Sequence, residues 1–206
     1  MRIGILGTGN VARAVATGLS RAGHDVVLGS RTPDERKDLD HTVVGLAEAA
    51  SHGDLLVNAT PGAGSVPLLH RIGADALAGK VLLDIAIGFR EDWTLDHPVA
   101  SLGELIQEEF PRTHVVKSLC TMDSTAMTAP EALEGASNVF LSGEGPAAKA
   151  AVGRLLVDLG WPESSHLDLG GIRTARGQEH YALLFIAIAT STGDFGFNIK
   201  VVRPRT

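Results

Sequence analysis

The stretch Gly4-Ile5-Leu6-Gly7-Thr8-Gly9-Asn10-Val11-Ala12 places a glycine turn between an apolar run and a helical pattern, which constrains the fold more than any other feature. It reads G-x-G-x-x-A. Gly7 allows a tight turn, Gly9 lets backbone approach a pyrophosphate, and Ala12 permits close packing of helix on strand. A second apolar run follows within about 30 residues, the spacing of a strand, helix, strand unit that seats a dinucleotide on the free N–H groups of its helix. A glycine turn that serves only packing is the competing reading.

The second run ends in Gly29-Ser30-Arg31-Thr32. An NAD site carries Asp or Glu there to bind the ribose 2′-hydroxyl, and a carboxylate would repel a 2′-phosphate. Ser30 and Thr32 instead offer hydroxyls, and Arg31 offers a planar cation suited to phosphate oxygens. The expected dinucleotide is therefore NADP(H), held by Gly7, Thr8, Gly9, Asn10 and Val11 of the turn and by Ser30, Arg31 and Thr32. Arg36 and Lys37, one turn further on, read more simply as solvated cations.

Further apolar runs with little alternation lie at residues 54–58, 80–85, 114–117 and 138–142, after those at 2–6 and 25–28. Helical patterns separate most of them. Strands alternating with helices predict an α/β fold of the Rossmann type, doubly wound, with a mostly parallel sheet and a C-terminal helical extension. Gly23 is placed to cap the first helix. Other helices are expected at 66–72, 102–110 and 146–159, with a last one near 172–192 as a core or dimer extension. All 206 residues are expected to form one NADP-binding domain.

Apolar residues make up 44% of the chain and aromatics 4%, so Ala, Val, Leu and Ile must fill the core, as they do in parallel sheets covered by helices. The net charge of −6, with no basic block, speaks against a nucleic-acid partner. The apolar stretch at 181–189 is far short of the roughly 20 residues that span a bilayer, and reads as a buried core helix. The N-terminus lacks a signal-peptide pattern and Cys120 is the lone cysteine, so a cytoplasmic location is expected. The eight histidines are scattered and show no metal-ligand spacing.

Two more turns belong to the same end of the expected sheet. Asn58-Ala59-Thr60-Pro61-Gly62 places Ala59, Thr60 and Pro61 where backbone meets ribose or nicotinamide. Residues 84–89 help wall the nicotinamide pocket, with Ala86 against the dinucleotide, Ile87 toward a second ligand, and Asp84 either facing the site or tying down a loop. Lys117 has three open roles: contact with an anionic ligand, proton donation, or a strand-end lysine reaching solvent. Cys120 and Met122 are candidates for a second-ligand pocket, and Met127 for its floor, although core filling suits all three. Arg176 and Glu179 are spaced to pair on one helix, and His180 and Tyr181 could line a ligand or dimer contact.

The motifs GTGN, LGSR, VNATPG, VVKSLCTMDSTAM, VFLSGEGPAAKAAVGRLL, DLGWP and ARGQEHYALL together resemble the NADP oxidoreductases that act with coenzyme F420, a 5-deazaflavin. The resemblance runs over approximately residues 2–202. The same fold family includes reductase domains of membrane ferric reductases and, more distantly, pyrroline-5-carboxylate reductases. The resemblance implies that Ser30 and Arg31 hold a 2′-phosphate, that hydride passes between nicotinamide C4 and deazaflavin C5, and that the protein is a homodimer joined partly through C-terminal helices.

Two departures fall on the second-ligand side. Cys120 stands where many relatives have Asn in a K-x-x-N-T segment, and Asp84-Ile85-Ala86-Ile87-Gly88 replaces an Asp-x-Ser-Asn-Pro type of turn. The leading expectation is hydride transfer between NADP(H) and either coenzyme F420 or a flavin. Direct reduction of a small imine or carbonyl and a non-catalytic NADP sensor are the alternatives.

Overall fold

The computed structural model describes residues 1–36 and 39–204. Eight strands follow the chain as β1 (Arg2–Leu6), β2 (Asp25–Ser30), β3 (Val43–Gly45), β4 (Leu55–Asn58), β5 (Val81–Asp84), β6 (His114–Lys117), β7 (Val139–Leu141) and β8 (His166–Asp168). The helices are α1 (Asn10–Arg21), α2 (Leu46–His52), α3 (Gly62–Ile72), α4 (Ala74–Leu77), α5 (Leu102–Glu109), α6 (Ser124–Thr128), α7 (Pro146–Asp158) and α8 (Ala175–Thr192).

Strands β1 to β6 form one parallel sheet in the order β3-β2-β1-β4-β5-β6. The chain starts in the middle, winds out to β3, then returns past β1 and winds out the other way. That reversal opens a crevice between the carboxyl ends of β1 and β4. β7 and β8 form a second parallel pair, joined to β6 through an antiparallel bridge between Lys117 and Ser142.

The sheet is buried on both faces, which is why its strands read as unbroken apolar runs. On one face Val15 and Leu19 of α1 and Leu155 of α7 pack with Ile3, Ile5 and Val116. On the other, Leu69, Leu77, Ile106 and Phe110 pack over Leu56 and Leu82. Complete burial of one such side chain stabilises the fold by about 1.5–3 kcal/mol.

Several helix ends follow the sequence closely. Gly23, at φ +86°, donates its N–H to Ser20 O while His24 N bonds Leu19 O, which closes α1 and turns the chain into β2. Ser101 and Glu104 form a reciprocal capping box at the start of α5. Two strands escaped the sequence reading. β3 is a three-residue edge, and β8 contains a single large apolar residue, Leu167.

The last helix corrects two expectations. Residues 172–174 form a separate 3-10 turn before α8. α8 buries Gln178, Glu179, Ala182 and Ala189, whereas Leu183 is 39% and Leu184 55% exposed, so 181–189 is not a core helix within this chain. Arg176 and Glu179 do not pair with each other. Arg176 makes a two-pronged bond to Glu104 at 2.7 Å on each arm, and Glu179 turns inward to α5 and β6. Among the described residues, no helix is long and apolar enough to cross a membrane.

Candidate active site

At the carboxyl end of β1, Gly7 takes φ +124°, and a Cβ there would stand 2.6 Å from Ala59 O. Its N–H donates to Gly29 O, and Ala59 N donates to Leu6 O, so the ends of β1, β2 and β4 are knitted together. Gly9 caps α1 in extended backbone, with no side chain closing the helix end. The first N–H groups of a helix have no partner within it, and nothing lies within 4 Å of where a Gly9 Cβ would be. The turn is therefore open to an anion.

Beyond β2, Ser30 is buried and its Oγ accepts from Thr32 N at 3.1 Å, which holds Arg31 at the apex of the loop. Arg31 is exposed and has no hydrogen bond or ion pair among the described residues. Arg36 is also exposed, and Lys37 lies outside the described residues.

An apolar cavity of about 290 Å³ opens beside this turn. Val11, Ala59, Thr60, Ala86, Ile87, Cys120 and Met122 all line it, so candidates for both ligands meet in one space. Met127 joins them. Pro61 is exposed and precedes α3 instead of lining the cavity. Thr60 is fixed from behind, where its hydroxyl donates to Asn58 Oδ1 at 2.7 Å, while Asn58 Nδ2 reaches Asp84 Oδ1 at 2.8 Å. Leu119, buried at φ +63°, turns the chain after β6 so that Cys120 follows at the cavity wall.

Ile85 and Phe89, from the 84–89 stretch expected at the pocket wall, and Ala182, Phe185 and Ile186 of α8 complete the lining. The sequence reading missed the three residues of α8. Ala182, Ile186 and Ala189 recur on one face of α8, a signal hidden by the apolar residues around them. A larger hollow of about 480 Å³ runs along the outer face of α1, but no strand of the main sheet contributes to it.

Lys117 answers to none of its three expected roles. It is fully buried and absent from the cavity lining. Its Nζ donates to Asp84 Oδ2 at 2.9 Å, to Glu179 Oε1 at 2.8 Å and to Ala86 O, which engages all three ammonium protons. Burial alone would lower its pKa, but the Asp84 and Glu179 carboxylates outweigh it and hold the ammonium above the usual lysine range. Asp84 is pushed upward by burial, with Lys117 opposing it within the same cluster. The cluster also settles the role of Asp84, whose Oδ1 accepts from Ala86 N at 3.3 Å and ties down the 84–86 loop.

Glu179 further accepts from Leu102 N at 2.9 Å and Gly103 N at 3.2 Å, an anion at the positive end of α5. Beside it, Gln178 donates to Lys117 O and Ser142 Oγ and accepts from Cys120 Sγ at 3.8 Å. Burial pushes the Cys120 thiol up to about 12, so it remains protonated at neutral pH. Among the described residues, no group of three or more His, Cys, Asp or Glu is placed to hold a metal.

A crystal structure from Arthrobacter sp. FB24, provisionally assigned as an F420-dependent NADP reductase, is 38% identical to this chain. It matches 98% of this chain and 100% of its own, with a TM-score of 0.92. The chain belongs to the F420-dependent NADP oxidoreductase family. The family model, NADP oxidoreductase coenzyme F420-dependent, matches residues 2–88, which hold the glycine turn and the Ser-Arg ending. Metalloreductase STEAP3 of Rattus norvegicus is 30% identical over 181 residues, covering 86% of this chain but 36% of that protein. This chain thus spans about a third of that relative's length. An imine reductase of Aspergillus terreus, 20% identical with a TM-score of 0.67 over 93% of this chain and 63% of that one, shares the fold.

NADP(H) is the dinucleotide of this family, and the residues present fit it: an uncapped helix end, open space above Gly9, and beside Ser30 an Arg31 with no partner among the described residues. Two glycine variants separate fold from binding. Gly7→Ala, forced into the left-handed region against Ala59 O, is expected to cost about 1–3 kcal/mol and lower the melting temperature by several degrees. Gly9→Ala should melt as the wild type does, yet weaken NADPH in a calorimetric titration by about tenfold or more.

Proposed function

We propose that this chain transfers hydride between NADP(H) and a planar tricyclic acceptor, with coenzyme F420 as the first candidate and a flavin as the second. The observation that carries this reading is the chemistry of the cavity wall. Cys120 is the one titratable side chain among its described lining residues, and that thiol is held protonated. Such a wall offers proximity and exclusion of water, which suffice where two ring systems supply the reactivity themselves. When bound, that pair passes a hydride from nicotinamide C4 to deazaflavin C5, and a proton from solvent completes the reduced acceptor.

The chain's own residues bind and orient. Gly7, Thr8, Gly9, Asn10 and Val11 would seat the pyrophosphate on the start of α1, and Ser30, Arg31 and Thr32 would hold the 2′-phosphate. Ala59, Thr60 and Ala86 would border the nicotinamide, and Ile87, Cys120 and Met122 the acceptor. Direct reduction of a small imine needs a general acid within hydrogen-bond reach of the reacting atom. Lys117, fully engaged outside the lining, does not supply it. The exposed Leu183 and Leu184 on α8 support a homodimer that covers this helix.

Mixing the purified chain with NADPH and, separately, oxidised coenzyme F420, FMN, FAD or 1-pyrroline tests the assignment. Loss of absorbance at the nicotinamide band with the deazaflavin, above the rate without acceptor, is the expected result. Oxidation with 1-pyrroline alone would overturn it.

A further inference from the structure

The chain has two tryptophans, one tyrosine and six phenylalanines. Trp161 is spent on the core, where its Nε1 donates to Met127 O at 3.1 Å. Trp93 is 64% exposed. A large aromatic ring left in water on a chain so poor in them asks for a partner.

The backbone is built to hold that ring out. Phe89 and Leu95 form an antiparallel bridge, and Arg90 N bonds Thr94 O at 2.8 Å. Asp92 Oδ1 accepts from both the N–H and the hydroxyl of Thr94, at 3.0 and 2.6 Å. Leu95 is buried and Asp96 N bonds Gly88 O, so the base of the turn is anchored. At its tip Trp93 takes φ +64°, a region that bulky side chains seldom enter and that clusters at ligand clamps. Its ring then lies beside Phe89, with centroids 5.8 Å apart and planes inclined by 57°.

Phe89 itself lines the apolar cavity together with the α8 side chains Phe185 and Ile186. At about 290 Å³ the cavity lies at the small end of small-molecule sites, which suits two reacting rings better than a whole tricycle. The rest of a wide planar ligand then extends past the lining, and Trp93, outside that lining, is held beside the lining residue Phe89.

We propose that Trp93 is an aromatic shelf at the cavity mouth that stacks the outer rings of the tricyclic acceptor, with the inclined Phe89 ring meeting the same ligand edge-on, making Trp93 a specificity determinant for polycyclic over small ligands. Recognition is through the π-face, so deazaflavin and flavin share it. This inference rests on the tricyclic-acceptor reading above.

The test follows tryptophan emission as oxidised coenzyme F420, or FMN in a parallel arm, is titrated into the full chain with NADP⁺ present. Buried Trp161, bonded to Met127 of the cavity lining, is also within energy-transfer range of a bound ring, and the Trp93→Phe variant measures its share. Saturable quenching in the wild type whose amplitude is clearly smaller in Trp93→Phe is the expected result. Trp93→Ala should raise the Kd and KM for the acceptor by about tenfold, a typical loss for one stacked ring, with the effect on KM rather than kcat. Trp93→Phe and Trp93→Tyr should restore KM to within about threefold, and NADPH affinity should stay put.

Turnover of the deazaflavin with an unchanged KM in Trp93→Ala would overturn the shelf and leave the function standing. A wild type that neither turns over nor is quenched by any tricycle would overturn both. If light scattering shows Trp93→Ala to be a monomer where the wild type is a dimer, Trp93 is a subunit contact and the shelf is wrong.

Discussion

Arg31→Asp raises the Kd for NADPH by about a hundredfold, or roughly 2.7 kcal/mol, while changing that for NADH by less than about threefold. The argument starts from the loop geometry. Ser30 Oγ fixes Thr32 N, so Arg31 is carried at the apex, exposed and without a partner among the described residues. An arginine in that state can meet a phosphate without first breaking a protein contact, and bonds to a charged group contribute about 1.5–3 kcal/mol. The aspartate removes that contact and adds repulsion toward a dianionic 2′-phosphate. NADH lacks the phosphate, so it should scarcely register the change. Fluorescence titrations with both dinucleotides measure the ratio, and equal weakening of the two would remove Arg31 from the 2′-phosphate site.

Lys117→Ala is expected to destabilise the fold strongly. The substitution leaves Asp84 and Glu179 facing each other without their cation, fully shielded from water. Breaking a buried ion pair from one side costs about 3–5 kcal/mol, which for a chain of this size lowers the melting temperature by about 10 °C or more. The loop at Ala86 loses its anchor as well. Adding Asp84→Asn to Lys117→Met should recover part of the loss, because one uncompensated charge disappears with its partner. The folded fraction of the variant should keep measurable hydride transfer, since Nζ is not in the cavity wall. A variant that melts like the wild type yet loses turnover by a hundredfold would return Lys117 to the role of proton donor.

What the sequence reveals here is what local pattern controls. The ranges of β1 and β6, the cap at Gly23, and Pro146 at the start of α7 follow from apolar runs and helix-end chemistry within a few residues. The meeting of Val11, Ala59, Thr60, Ala86, Ile87, Cys120 and Met122 was legible because strand ends of a doubly wound sheet share one edge. The Lys117 cluster was not, because its carboxylates come from the end of β5 and the second turn of α8, and neither lies near it in sequence. The apolar surface of α8 misled in a different way. Periodicity reports that a helix needs cover on all sides, but not whether this chain supplies it, and Leu183 and Leu184 remain exposed. Trp93 escaped because its place beside Phe89 depends on a turn closed by Asp92 and Thr94, whose residues read as an ordinary polar loop.

The central claim is that an apolar cavity lets hydride pass directly from NADPH to a tricyclic ring without exchange with water. NADPH carrying deuterium at the transferred C4 position, mixed with oxidised coenzyme F420 and the protein in ordinary water, tests it most directly by mass spectrometry of the reduced acceptor. Deuterium bound to C5 does not exchange, so the account predicts one retained label per acceptor reduced. Reduced acceptor without the label, or no reduction while NADPH binds tightly, would contradict it.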